Sequence, residues 1–306
     1  MKSEMKPMAM HPSHIKDTPG RRVFRIVNGT VLILLMLICF LPFVNVIAMS
    51  FSSNYFVQIH AVSFWPRGFT TAAYQSILSR KTFWTSFRFS LFRVLLGTAI
   101  NLFLIILTAY PLSKDKGKLH FRGVYTWYFF ITMLVGGGMI PNYLLISNLG
   151  LRDSIWALVL PGALPIFNLV LMLNFFRQVP QELEEAAMID GAGHIRTLVQ
   201  IYLPVSIPSI ATIALFCIVG HWNAWFDGMI YMTSLTKIPL QTYLRTIIID
   251  MKVADMTADD YELYAMLSDR TVKCSQIIVA TIPILCVYPF LQRYFVTGIV
   301  LGSVKG

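Results

Sequence analysis

Glu185-Ala186-Ala187-Met188-Ile189-Asp190-Gly191, continued through Ala192 to Gln200 and closed by Ile201-Tyr202-Leu203-Pro204, is a polar, helix-forming island between two long apolar runs. Pro180, just before it, suits the first turn of a helix, where a missing N–H is not needed. Glu182, Glu184 and Glu185 put negative charge at that helix N-terminus, which is favourable. Leu183, Ala186, Ala187 and Asp190 fall at helical spacing. Gly191 can take the backbone angles that end one helix and turn the chain. Beyond it Ile195, Leu198, Val199 and Tyr202 recur at i, i+3, i+4 and i+7, one apolar face of a second short helix. Pro204 is expected to stop that helix. The stretch reads as a helix–turn–helix at a membrane surface, with an apolar side fit to dock into a groove. The plainer reading is an amphipathic surface hairpin without a partner.

Hydrophobic residues make up 56% of the 306 residues and charged residues 13%, against about 25% charged in an ordinary soluble domain. The chain is therefore expected to be a polytopic, all-α integral membrane protein, with its apolar surface meant for lipid and other helices. The net charge of +10 fits basic cytoplasmic loops facing anionic headgroups; no nucleic-acid signature accompanies it. Cys39, Cys217, Cys274 and Cys286 lie inside or at the edge of apolar runs, where they read as small packing residues and not as a disulfide framework or metal site. The first apolar run is long enough to span a bilayer, and no small-residue cleavage site follows it.

Taken in order, residues 1–24 are polar and basic and read as a cytoplasmic tail. Six spans are expected, at about 26–49, 86–110, 124–139, 155–175, 207–232 and 275–295, making 25–306 one six-helix domain. Lys114, Lys116, Lys118 and Arg122 crowd the loop after the second span, whereas the 141–153 loop has only Arg152. The positive-inside rule places the first of these loops inside and the second outside. Both termini and the 177–204 loop then fall on the cytoplasmic side. An Asp-rich segment at about 233–272 falls outside, carrying Asp250, Asp255, Asp259, Asp260 and Asp269.

The 185–204 stretch resembles the cytoplasmic coupling loop of ABC importer permeases, whose pattern is Glu-Ala-Ala, three residues, Gly, nine residues, Ile-x-Leu-Pro; every fixed position is present. The likeness covers nearly the whole chain. Phe64-Trp65-Pro66-Arg67-Gly68-Phe69 looks like the segment after the first span in carbohydrate-importer permeases. Trp222-Asn223-Ala224-Trp225-Phe226-Asp227 looks like their fifth-span signature. Tyr288-Pro289-Phe290-Leu291-Gln292-Arg293-Tyr294 through Ser303-Val304-Lys305-Gly306 is similar to the end of the maltose-type second permease. Its Tyr-Pro-Phe-Leu-Gln form is similar to the subfamily for complex oligosaccharides and polysaccharide fragments.

The resemblance implies a type I importer permease fold in a bacterial cytoplasmic membrane. It implies a second homologous permease chain, two copies of a cytosolic P-loop ATPase, and an external substrate-binding protein that delivers an oligosaccharide. The chain itself carries no Gly-x-x-x-x-Gly-Lys-[Ser/Thr] phosphate loop, so ATP and magnesium are expected on the partner ATPase, with no cofactor and no catalysis here. By the same resemblance Glu182, Glu185, Ala186, Ala187, Asp190, Gly191, Leu203 and Pro204 contact the ATPase. The tail from Gln292 to Gly306, Lys305 included, reaches between the ATPase subunits or is a frayed helix end. Closure of the ATPases moves the loops as rigid bodies and switches the pathway between its two openings.

Polar groups inside spans are costly and often functional. His221, Asn223 and Asp227 cluster in the fifth span beside Trp222 and Trp225, which suits either a sugar pathway or an interhelical hydrogen-bond network. Arg88 and Arg93, near the outer end of the second span, either attract an anionic substrate or reach headgroups and carboxylates. Gly136-Gly137-Gly138 before Pro141 marks a loosened helix end or a close helix crossing. Two other classes compete: an ABC permease for another solute, such as amino acids or peptides, and a gradient-driven carrier. The carrier would need internal repeats and acid–base relays, yet Asp227 is the one convincing intramembrane carboxylate. A membrane enzyme would need a convergent nucleophile–base or metal-ligand set, which the spans lack.

Overall fold

A computed structural model describes residues 18–114, 117, 119–249 and 269–303, with side chains described except at 247–249, 269 and 290–303. Every regular element among the described residues is a helix, apart from an isolated antiparallel bridge between Ser52 and Phe69. Three helices are long and apolar enough to cross a membrane on their own. These are α1 (Pro19–Ser50), α4 (Lys81–Ser113) and the described part of the last helix, Arg270–Pro289. At about 1.5 Å per residue, each of the first two exceeds the ~30 Å hydrocarbon core. Helix α1 starts at Pro19, several residues before the expected span, because a proline preset for the first turn sits there. The rest of the predicted tail lies outside the described residues.

Between α1 and α4 the chain folds onto itself through α2 (Asn54–Gln58) and α3 (Ala72–Leu78). Phe51 and Phe69 stack with ring centroids 5.6 Å apart, and the Tyr74 hydroxyl donates to Ser50 Oγ at 2.7 Å. This compact segment packs on the last helix.

The third, fourth and fifth expected spans are broken, not continuous. Helix α5 (Arg122–Leu134) stops before Gly136-Gly137-Gly138, and α6 (Met139–Asn148) leaves at 109° to it. Gly138, at φ 82°, makes that turn. The 155–175 run divides into α7 (Ile155–Val159) and α8 (Ile166–Arg177). Pro161, Gly162 and Pro165 lie in the gap, and proline removes helix donors. Alone, α8 is too short to cross a bilayer. Next come α9 (Gln181–Ile189) and α10 (His194–Val205). Helix α11 (Ile207–Asn223) follows at 83° to α10. The chain breaks again at Ala224 and Trp225 before α12 (Phe226–Tyr231). Helix α13 (Leu240–Ile249) then folds against α4, so the expected external segment opens with packed structure. Asp250, Asp255, Asp259 and Asp260 lie outside the described residues. Helix α14 (Asp269–Ser303) completes the chain, running through Pro283 and Pro289.

The second helix of the loop does not stop at Pro204. A π-helical turn over Leu198–Tyr202 leads into Leu203–Val205, so Pro204 lies within the last turn of the helix, and the bend falls at Ser206.

Helix α4 is the pillar: α8, α11 and α13 all pack on it. Around it lie two cores. One, toward the 177–204 loop, holds Ile105, Leu169, Met172, Phe176, Leu198 and Ile213. The other, at the far end, holds Phe83, Val94, Leu158, Trp222, Leu240 and Tyr243. Helix α1 packs on α14 but is 6% buried over its apolar stretch.

Candidate functional site

Three structures meet around α4: the loop at one end, a polar seam along its length, and a cavity at the other end.

In the loop, α9 ends in a capped turn. Gly191 takes φ 80°, its N–H donates to Met188 O at 3.1 Å, and the Ala192 N–H donates to Ala187 O at 2.9 Å. This paired geometry satisfies the last carbonyls of the helix and needs a left-handed residue. A Cβ at Gly191 would meet nothing within 4 Å, so glycine is required here for backbone angle and not for space. Glu182, Glu185, Ala186, Asp190, Gly191 and Pro204 are exposed, while Ala187 and Leu203 are half-buried. Leu183, Ile189, Ile195 and Val199 are exposed beside them, Ile189 to 86%. The apolar face expected on the second helix is therefore divided: Leu198 and Tyr202 turn into the core, and Ile195 and Val199 turn out.

Glu184, which sequence reasoning passed over as a site residue, is 2% exposed. Its Oε2 pairs with Lys114 Nζ at 2.7 Å and accepts from the Tyr202 hydroxyl at 2.8 Å. The Lys114 ammonium also lies 4.0 Å from the ring centroids of both Tyr110 and Tyr202, a cation–π clamp. Only burial separates Glu184 from Glu182 and Glu185, so no local pattern marks it.

The seam consists of Ser90, Arg93, Gly97 and Asn101, spaced so as to share one face of α4. Ser90 Oγ accepts from the N–H of Leu240, the first residue of α13, at 2.7 Å. Arg93 is 2% exposed and pairs with Asp227. Its guanidinium also donates to Ala224 O at 3.3 Å and Leu158 O at 3.4 Å. Asn101 Nδ2 donates to Gly162 O at 2.7 Å and Ala163 O at 2.8 Å. Its Oδ1 thus faces His221 Nε2 at 2.6 Å as acceptor, and that nitrogen carries the proton. In a membrane every backbone polar group needs an internal partner. The seam supplies partners at the broken ends of the fourth and fifth apolar runs.

The cavity has a volume of about 890 Å³ and lies among α1, α11, α13 and α14. Asn223, Trp225, Gln241, Arg245, Lys273 and Gln276 line it, with no carboxylate among the described lining residues. The Arg245 guanidinium carbon sits 3.7 Å from the Trp225 ring centroid. Gln276 is 4% exposed, and its Nε2 has no hydrogen-bond partner among the described residues. Of the seven residues singled out in the spans, the cavity brings together Asn223 and Trp225. Trp222 is buried and donates to Ala280 O at 2.9 Å. His221, Asp227 and Arg93 belong to the seam. Arg88 is exposed, and its Nε donates to Trp84 O at 3.4 Å. Gln292 lies in α14 at a position whose side chain is not described, and Lys305 lies outside the described residues. Amide donors, a flat indole face and the Arg245 guanidinium can hold a hydroxyl-rich, anionic molecule.

No family model matches the chain. It is 41% identical to Protein LplC of Bacillus subtilis (strain 168), over 97% of this chain and 99% of that one. It is 40% identical to the polygalacturonan/rhamnogalacturonan transport system permease protein YtcP of the same organism, over 93% and 99%. Among solved structures it is similar to a chain of a bacterial ABC transporter involved in the import of the acidic polysaccharide alginate. That likeness has 33% identity and a TM-score of 0.81, and it covers 91% of this chain and 99% of the other.

Proposed function

The chain belongs to the membrane permeases of ABC transporters for sugars and polysaccharides, and from that premise we propose that it is one of two permease chains in an ATP-driven, binding-protein-dependent importer of carboxylated oligosaccharides. The observation that carries the ATP-driven part is the exposed surface of α9 and α10. Leu183, Ile189, Ile195 and Val199 stand out from a rigidly capped loop beside Glu182 and Glu185. Such a surface suits a groove on a cytosolic ATPase with basic residues at its rim. In this reading Glu182, Glu185, Ala186, Ala187, Asp190, Gly191, Leu203 and Pro204 make that contact, and the C-terminal tail adds to it.

In the same reading the chain crosses the membrane six times with both termini inside, three of its crossings being broken helices. The apolar flank of α1 meets lipid and the second permease. ATP and magnesium act on the partner ATPase, and this chain moves solute without chemical catalysis. Alternating access follows from rocking of the spans around the loop.

The cavity supports the substrate class. The Arg245 guanidinium on the Trp225 face, and an amide donor of Gln276 with no partner among the described residues, fit a sugar that carries carboxylates, with Trp225 and Asn223 on its path. The polygalacturonan/rhamnogalacturonan system of one relative and the acidic polysaccharide of the similar solved transporter agree with it. The test is recovery in mild detergent followed by uptake in vesicles. Co-purification of a second permease and a P-loop ATPase, with uptake that requires ATP and a binding protein, is the expected result. Uptake by the chain alone, driven by an ion gradient, would overturn the reading.

A further inference from the structure

We propose that the buried box of Lys114, Glu184 and Tyr202 is the strut through which movement of the loop reaches α4. This inference rests on the ATP-driven reading above and assigns a role within it to residues buried inside this chain.

Along the chain, α9 is joined backward to α8 and forward, through α10, to α11, and both α8 and α11 pack on α4, the helix that holds the broken ends of the fourth and fifth apolar runs. The Lys114–Glu184 pair adds a direct polar link from α9 itself to α4, between residues 70 positions apart. Lys114 caps the C-terminal end of α4, and Glu184 sits in the first turn of α9.

The box is built to be stiff. Both charged side chains are more than nine-tenths buried. The carboxylate oxygen is fixed from two sides, by Lys114 Nζ at 2.7 Å and by the Tyr202 hydroxyl at 2.8 Å. The ammonium is held between two rings, which themselves meet edge to face at 5.1 Å. Phe176 of α8 backs Tyr202 at 5.5 Å. A buried ion pair is weak evidence for stability, because desolvation offsets its attraction, and geometric specificity is the better-attested use of such pairs. Here the specificity is a fixed distance between α9 and α4.

Its far end is equally defined. On α4, Arg93 holds Ala224 O and Leu158 O, and Asn101 holds Gly162 O and Ala163 O. Ala224 lies between Asn223 and Trp225, both on the cavity wall. A displacement of α9 therefore reaches the cavity through one helix and two sets of polar contacts. Intermediate position alone does not demonstrate coupling, so the readout must be coupling itself.

The experiment uses the assembled transporter in proteoliposomes with its binding protein and measures solute taken up per ATP hydrolysed. Glu184→Gln keeps an acceptor for Tyr202 but removes the charge. Lys114→Met with Glu184→Gln removes both charges and leaves none buried alone, so it keeps assembly even where the single variant does not. The expected result for each assembled variant is a fall in uptake per ATP of at least about fivefold, the low end of ordinary coupling effects, with ATP hydrolysis retained. Lys114→Arg, which keeps the ion pair, should retain at least half of the wild-type ratio. Uptake per ATP equal to wild type in the assembled double variant would overturn the strut. Absence of ATP-dependent uptake in the wild type would instead overturn the reading it rests on.

Discussion

Arg93 of α4 pairs with Asp227 of α12 across 134 residues, and the same guanidinium donates to the Ala224 carbonyl in the break that Asp227 follows. Sequence reasoning left Arg93 either to attract an anionic substrate or to reach headgroups and carboxylates, and here its guanidinium is engaged by a carboxylate of the fold. Removing one member of a buried pair leaves the other uncompensated, at a cost of about 3–5 kcal/mol. Asp227 is 27% exposed, so Arg93→Met should cost about 3 kcal/mol, at the low end of that range. Arg93→Met with Asp227→Asn should recover part of this loss and not all, since the Ala224 and Leu158 carbonyls lose the guanidinium in both variants. Thermal unfolding of the purified complex measures both, and a double variant no better than the single would refute the pairing.

Gly97 is a matter of space. A Cβ placed there falls on the His221 ring, which is held by Asn101 at 2.6 Å. Gly97→Ala should therefore cost about 1–3 kcal/mol, the usual range for overpacking. Gly29 is the control, since a Cβ placed there meets nothing within 4 Å: Gly29→Ala should be neutral or slightly stabilising. Equal melting of wild type and Gly97→Ala would show that α4 and α11 are not packed this closely.

These two positions show what was legible in the sequence. The loop stood out because polar, helix-forming residues interrupt apolar runs, and Gly191 lies at the turn that its position indicated. All-helical membrane character followed from composition. The breaks at 160–165 and 224–225 did not: hydropathy over 155–175 is continuous across the first, and at the second the polar residues His221, Asn223 and Asp227 read as site residues and not as helix ends. Pro161, Gly162 and Pro165 were the local signal for the first break. The second has no such signal: Ala224 and Trp225 are ordinary helix residues, and Arg93 holds their break from far away in the chain. Glu184 was hidden for the same reason, being one of three acids in a turn, distinguished only by Lys114.

Asp153 should make the far end of the molecule acid-sensitive. It holds a left-handed conformation, φ 55°. Its carboxylate accepts from the Thr233 hydroxyl, the Thr233 N–H at 2.6 Å and the Ser234 N–H at 3.0 Å. The Thr233 hydroxyl first, then these two N–H groups, with Lys237 nearby, hold its pKa down to about 2. A carboxylate with a depressed folded pKa stabilises above its unfolded value, and that contribution is lost as pH falls through the folded one. The clamp on 233–234 should therefore be complete above about pH 4 and loosen toward pH 2. Hydrogen exchange of the Thr233 and Ser234 amides, corrected for intrinsic rate, reports this. Asp153→Asn should lack the pH dependence, and identical profiles in the two proteins would overturn the assignment.

The loop surface makes a separate claim from the strut. Gly191→Pro cannot adopt φ 80° and removes the N–H that caps α9. Glu185→Lys reverses an exposed charge without touching the core. Both should leave membrane insertion unchanged and lower ATP-dependent uptake, with loss of the ATPase from the purified complex. For Glu185→Lys the fall should be about tenfold or more, as like charges placed across a contact cost several kcal/mol. Normal uptake by a well-expressed variant carrying both changes would count against docking at this surface.

Substrate charge is tested at Arg245. Its guanidinium lies on the Trp225 face and borders a cavity with no carboxylate among its described lining residues. A hydrogen bond to a charged group contributes about 1.5–3 kcal/mol, which corresponds to roughly ten- to hundredfold in affinity. Arg245→Gln should raise the half-saturating concentration for a carboxylated oligosaccharide by about tenfold or more, and leave that for its reduced, neutral counterpart within about twofold. Arg245→Lys keeps the charge but loses the flat, forked donor set that stacks on an indole, so it should fall between the two. The comparison of paired substrates separates recognition from general damage. If the variant slows both substrates alike, Arg245 is a wall residue, and the charge preference of this pathway must come from elsewhere in the transporter.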